Sequence, residues 1–226
     1  MCRYAGTEAL DPDTEIDHMP RLAPALTIGF ALPKADRPEW IVQKLTEIGV
    51  DSIIVLHAER SIVRWEPDRA ARHIAKLAKV AREASMQSRR VWLPTIGGPT
   101  QVESMAAPAT APNDMAPNDM APNDMVANAK SANDMASNDM VANAKSANVI
   151  AALPIASPIA LADPDGAVLT LATSTVLIGP EGGWTAGEMD RFASRVRLGS
   201  SILRVETAAL VAAAQLSALR DIGITP

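Results

Sequence analysis

The apolar positions of the first hundred residues alternate between short continuous runs and helical stripes. Leu26 to Leu32 (LTIGFAL) is an unbroken apolar run of strand length, the pattern of a strand covered on both faces. Asp36 then offers an N-cap and Pro38 a residue whose φ suits a first helical turn. Ile41, Leu45 and Ile48 recur at helical spacing with Val42 beside them, and Gly49 follows where a left-handed residue ends a helix. Ile53 to Leu56 predicts a second strand. From about Asp68 to Met86, Ile74, Leu77, Ala81 and Ala84 form one stripe, with Arg72, Lys76, Lys79 and Arg82 on the opposing side, so this helix is amphipathic with a basic outer face.

The periodicity stops at about residue 101. APNDM occurs three times in tandem from Ala111 to Met125, and VANAKSAN occurs at 126–133 and again at 141–148. With no aromatic residue and much Asn, Asp, Ser, Pro and Ala, this stretch buries too little to offset about 1–2 kcal/mol of backbone ordering per residue. Residues 101–148 are therefore expected to be a flexible low-complexity insertion, its unit too short for a solenoid repeat. Patterning resumes with a strand at Ile159–Ala162, a turn at Asp163–Gly166 and a strand at Thr175–Ile178. A helix from about Thr185 to Ala193, a strand near Val196–Leu198 and a last helix from about Glu206 to Arg220 follow. Alternating strands and helices predict an α/β fold with a mainly parallel sheet.

Composition narrows this picture. The chain is 48% hydrophobic but only 3% aromatic, so Ala and Met make up much of the apolar total. No run approaches the ~20 apolar residues that span a bilayer, and the acidic start is unlike a signal peptide, which predicts a cytoplasmic protein with no membrane partner. The single Cys2 excludes a cysteine-rich metal site, and His57 and His73 have no ligand-like partners, so no metal is expected. Net charge is −5, yet His57 to Trp92 holds nine Lys or Arg against four acids, a local +5 that leaves −10 elsewhere. A basic window in an acidic chain suits contact with a polyanion through one face; a solvated helix surface is the alternative.

The chemistry concentrates in two loops. Val176 to Trp184 (VLIGPEGGW) is a strand running into three glycines and a proline, a loop that lets a ligand approach the main chain beyond a strand's carboxyl end. It is neither GxGxxG nor a P-loop, which removes the main support for dinucleotide or ATP binding. Leu198 to Ala208 (LGSSILRVETA) is a second strand-to-helix loop, with a cation and an acid leading into an Ala-rich helix.

These two segments resemble the closing signature of the SPOUT superfamily of trefoil-knotted methyltransferases, specifically the RsmE-type 16S rRNA uracil-N3 methyltransferases, which reads approximately GPEGG, LG, ILR and ETA. Gln43-Lys44, Glu47 to Val50, Glu59-Arg60-Ser61, Glu83-Ala84, Gln87-Ser88 and Arg89-Arg90 look like the family's upstream motifs in the same order. The resemblance covers about residues 26–96 and 158–220. It implies a SPOUT domain made of 26–100 and 149–226 with a C-terminal trefoil knot, and an N-terminal PUA-like barrel mostly absent, residues 1–25 being a remnant or irregular.

The resemblance further implies S-adenosyl-L-methionine as cofactor, held by Ala162, by Ile178, Gly179, Pro180, Glu181, Gly182 and Gly183, and by Leu198, Gly199, Ile202 and Leu203. Arg204 is expected to orient or stabilise a uracil or its phosphate, its structural alternative being a pair with Glu206. Glu206 is expected to accept the N3 proton, with a structural role as the alternative. Lys44, Arg60, Arg72, Lys76, Lys79, Arg89 and Arg90 are expected to meet phosphates of small-subunit ribosomal RNA. A homodimer using Ala208, Leu210, Val211 and Leu216 is implied, though those residues suit a core equally. Ser200 stands where the family commonly has Pro. The alternatives are a non-catalytic RNA-binding or dimerisation module that keeps the knot, and a methyltransferase acting on tRNA.

Overall fold

A computed structural model describes residues 2–4, 10–12, 19–33, 37–106 and 158–223. In chain order the elements are β1 (Cys2–Tyr4), β2 (Leu10–Pro12), β3 (Thr27–Ala31), α1 (Arg37–Ile48), β4 (Ser52–His57), α2 (Pro67–Gln87) and β5 (Thr95–Gln101). A 3-10 turn spans Val102–Met105, and β6 (Ile159–Val168), β7 (Thr175–Ile178), α3 (Ala186–Met189), β8 (Ser194–Arg197) and α4 (Val205–Ile222) complete the chain. Strands β1 and β2 form a separate antiparallel pair. The other six make one sheet in the order β5-β4-β3-β7-β6-β8, with every neighbouring pair parallel.

Every residue of β3, β4 and β7 is buried, as continuous apolar runs require when both faces are covered. On one face Ile28, Phe30, Ile53, Val55 and Val176 meet Ile41, Val42 and Leu45 of α1, Leu77 and Ala81 of α2, and Ala209, Ala212, Ala213 and Leu216 of α4. On the other, Ile54, Leu56, Leu161 and Leu177 meet Val102, Met105, Trp184 and Phe192. Ala208 and Leu216, candidates for a dimer surface, are thus internal; Leu210 and Val211 remain partly exposed. Gly49 ends α1 with φ 105°.

One strand was not expected, and three expectations are corrected. Strand β5 (TIGGPTQ) was hidden by two glycines and a proline; it is an edge strand with a register shift opposite Ile54–Leu56, a place where both residue types are tolerated. The packed chain continues past residue 101, because Val102 is 0% and Met105 5% exposed; residues 107–148, with the repeats, lie outside the described residues. Helix α3 holds only Ala186–Met189, since the chain turns at Asp190 to bury Phe192 before entering β8. The expected 163–166 turn lies inside β6 instead of ending a strand: Ala162 and Ala167 both pair with Val196, and between them Asp165 N donates to Asp163 Oδ1 at 2.8 Å.

The amino-terminal ends of the strands are tied by one carboxylate. Asp51 Oδ2 accepts from Leu26 N at 2.9 Å and from Arg220 Nη1 at 2.8 Å, and Oδ1 accepts from Arg90 Nη2 at 3.3 Å. Arg90 Nη1 also donates to the carbonyls of Thr46 (3.1 Å) and Val50 (2.7 Å), and Arg220 Nη2 to that of Gly49 (3.1 Å). One acid and two arginines therefore join the start of β3, the end of α1, the loop after α2 and the last turns of α4.

Candidate active site

Strands β7, β6 and β8 are neighbours, so the interruption inside β6 and the segments leaving the carboxyl ends of β7 and β8 converge. They enclose a cavity of about 420 Å³. Ala162, Asp163 and Pro164 of the β6 interruption form one wall, Ile178 to Trp184 a second, and Leu198, Gly199 and Ser201 to Leu203 a third, with Met189 and Ala208 closing it. All eleven residues expected from sequence to hold the cofactor thus line a single cavity. Sequence reasoning missed Pro164, Trp184, Met189, Ser201 and Ala208.

Trp184 joins the walls. It is 7% exposed, and its indole Nε1 donates to the Ala162 carbonyl at 2.9 Å. A Cβ on Gly179 would come within 2.9 Å of the indole, so glycine at 179 is what admits the ring. The turn below it is closed by Gly183 N donating to Pro180 O at 2.9 Å. The third wall is pinned from α4, where Gln215 Nε2 donates to the Leu198 carbonyl at 3.0 Å.

Arg204 is the exposed N-cap residue of α4, directly after the third wall. The expected alternative pairing with Glu206 is not formed: Glu206 Oε1 accepts instead from Arg37 Nη1 of α1 at 2.8 Å. Glu206 lies in the first turn of α4, and its Oε2 is buried without a partner among the described residues. A buried carboxylate oxygen left open is costly; neither Arg204 nor Glu206 is among the residues that line the cavity.

The seven candidate phosphate contacts do not converge. Arg72 is exposed on the outer face of α2, while Lys76 pairs with Glu39 at 2.6 Å, Lys79 with Glu83 at 3.9 Å and Lys44 with Glu47 at 2.8 Å. Arg60 donates to carbonyls of the glycine-rich turn. Arg89 is exposed, with φ 55°, beyond the far end of α2, a helix that rises about 31 Å over its length. Arg90 is corrected: its side chain is 13% exposed and directed to Asp51, at the amino-terminal ends of the strands. Burial, the largest cause, and Arg220 lower its pKa from the ordinary value, against Asp51, which raises it.

The loop after β4 is braced on itself. His57 Nε2 accepts from Trp65 N at 3.3 Å, Ser61 Oγ accepts from Ala58 N at 3.1 Å, and Arg64 Nη2 donates to Ala58 O at 3.0 Å. Burial, then the charge of Arg64, lowers the His57 pKa and keeps its ring in the neutral form that can accept. Among the described residues no group of three or more His, Cys, Asp or Glu could hold a metal ion. No described helix is long and apolar enough to cross a membrane.

Residues 21–217 match the profile of the RNA methyltransferase domain. The chain belongs to that family. A relative, the ribosomal RNA small subunit methyltransferase E of Bacillus subtilis, is 30% identical over 84% of this chain, which spans 64% of that protein's length. Among solved structures, a probable rRNA methyltransferase from Porphyromonas gingivalis superposes with a TM-score of 0.59 at 24% identity, over 92% of this chain and 73% of that one. A ribosomal RNA small subunit methyltransferase E from Neisseria gonorrhoeae, bound to S-adenosyl methionine, gives 0.56 at 24% identity, over 90% and 70%. The α/β fold of the RNA methyltransferase domain, expected from the two loop signatures, is thereby established for this chain.

Proposed function

We propose that this chain transfers a methyl group from S-adenosylmethionine to N3 of a uridine in small-subunit ribosomal RNA, working as a homodimer in the cytoplasm with the loops after β7 and β8 knotted. The observation that carries this reading is the closure of the interruption in β6 and the segments after β7 and β8 on one cavity, in a chain of the RNA methyltransferase domain family. The names of the relatives support a ribosomal RNA substrate, and the ligand of the Neisseria protein supports the cofactor. The cavity fits such a ligand: about 420 Å³ lies within the ~300–1,000 Å³ of small-molecule sites, and its walls combine apolar side chains with exposed main chain.

When bound, S-adenosylmethionine supplies a methyl carbon activated by a positive sulfur. The protein's part is positioning and charge control. Ile178, Leu198 and Leu203 give the cavity apolar walls, and the backbone of Gly182 to Trp184 and Leu198 to Leu203 fixes its shape. Glu206 Oε2 takes the N3 proton of the uracil, leaving the nitrogen pair free for the methyl carbon, while Arg37 holds Glu206 Oε1 and keeps the carboxylate oriented. Arg204, exposed and next in the chain after the lining residue Leu203, stabilises negative charge on the uracil or its phosphate.

Calorimetric titration with S-adenosylmethionine, then methylation of small-subunit RNA mapped by mass spectrometry, tests the reading. Ligand at a hundred times its dissociation constant stabilises the protein by about 2.7 kcal/mol, so no heat and no rise in melting temperature sink it. Arg204→Ala should slow methyl transfer about tenfold to a hundredfold, the worth of a hydrogen bond to a charged group, with cofactor affinity unchanged. Equal loss of both would make Arg204 structural. Arg72→Ala should weaken RNA binding and flatten the plot of log affinity against log salt by about 0.7–0.9, one phosphate contact; an unchanged slope removes α2 from the interface.

A further inference from the structure

Two consecutive residues of the loop after β4 bracket the glycine-rich turn. Glu188, 1% exposed, accepts from Thr185 N through Oε2 at 2.8 Å, completing the capping box of α3. Its Oε1 accepts from Glu59 N, also at 2.8 Å and 129 residues away in the chain. Arg60 then reaches back, Nη1 donating to the carbonyls of Gly182 at 3.1 Å and Trp184 at 3.2 Å. Its stem lies against Gly182, where an added Cβ would sit 3.3 Å from Arg60 Cβ. A buried carboxylate is costly unless its oxygens are bonded, and here they bond backbone donors from two separate loops. Neither Arg60 nor Glu188 lines the cavity, whereas Gly182 and Trp184, whose carbonyls Arg60 binds, both do.

We propose that Arg60 and Glu188 are positioning residues for the cofactor site: they hold the Gly182–Trp184 turn from outside, so that its carbonyls are bound to Arg60 and its main chain is preset for ligand. This rests on the reading of the cavity as the S-adenosylmethionine site, and it replaces the expectation that Arg60 serves as a phosphate contact. One nitrogen, Nη1, serves both carbonyls, its two N–H groups fixed in the guanidinium plane at the end of a long stem, a direction that a rotating ammonium on a shorter stem does not hold. Arg60 is exposed, so its loss leaves the core intact.

The test compares wild type, Arg60→Ala, Arg60→Lys and Glu188→Gln, with melting temperature recorded for each. In ligand-free protein, hydrogen exchange at residues 182–185 should quicken in Arg60→Ala, and S-adenosylmethionine affinity measured without RNA should fall about tenfold. Arg60→Lys should resemble Arg60→Ala in cofactor affinity and wild type in RNA affinity and its salt slope. Glu188→Gln, which turns an amide N–H₂ toward one of two backbone donors, should reproduce the faster exchange. Unaltered exchange with unaltered cofactor affinity overturns the proposal, as does RNA affinity falling alone, which would make Arg60 a phosphate contact. Wild-type protein that binds no S-adenosylmethionine sinks the reading of the cavity, and this proposal with it; wild-type binding that Arg60→Ala leaves unchanged sinks the proposal alone.

Discussion

Asp51→Ala should cost about 3–5 kcal/mol in reversible denaturation, a large share of the ~5–15 kcal/mol that holds a domain together. The substitution strips the counter-charge from two guanidinium groups whose side chains are 4% (Arg220) and 13% (Arg90) exposed, and it leaves Leu26 N without its acceptor. Each arginine keeps some carbonyl partners, Arg90 on Thr46 and Val50 and Arg220 on Gly49, so the loss stays within that range and does not abolish folding. Asp51→Asn should fall between, because an amide oxygen accepts from Leu26 N while its N–H₂ opposes an arginine. A midpoint for Asp51→Ala within experimental error of wild type would show that water reaches this cluster and screens it.

The same carboxylate shows what the sequence could and could not announce. Strands β3, β4 and β7 were legible because each is an apolar run with no alternative use, and α2 because one stripe of its residues is apolar while its exposed positions carry cations. Strand β5 was not, since Gly97, Gly98 and Pro99 signal a loop unless an edge position and a register shift are already known. The cavity walls were legible through a resemblance that preserved the local order of GPEGG, LG, ILR and ETA. Pairings between distant segments were not: nothing in a linear reading joins Arg90 to Asp51, Arg37 to Glu206 or Glu188 to Glu59. The resemblance and the local charge assigned Arg60 and Arg90 to RNA; in space Arg60 meets carbonyls of the glycine-rich turn, and Arg90 meets a carboxylate and two carbonyls. A guanidinium beside helix-end carbonyls satisfies groups that would otherwise be orphaned, and in sequence it is indistinguishable from a solvated one.

Trp184→Ala should have the largest effect among residues at the cavity, through two separable losses. Truncating a Trp that is 7% exposed and packed with Leu177 and Phe192 empties part of the second core, at about 3–5 kcal/mol. The Ala162 carbonyl also loses its donor, releasing the β6 wall from the β7 wall. Trp184→Phe separates the two: the ring keeps most of its packing over Gly179, while the Ala162 carbonyl goes unpaired, at about 1 kcal/mol because Ala162 is half-buried and water can replace the indole. Denaturation midpoints should therefore rank wild type, Phe, then Ala. Affinity for S-adenosylmethionine should follow the tie more closely than the packing, so Phe should already bind distinctly more weakly than wild type. If Phe binds as tightly as wild type while Ala fails only in proportion to its lost stability, the indole N–H has no part in shaping the cavity, and Trp184 acts as core alone.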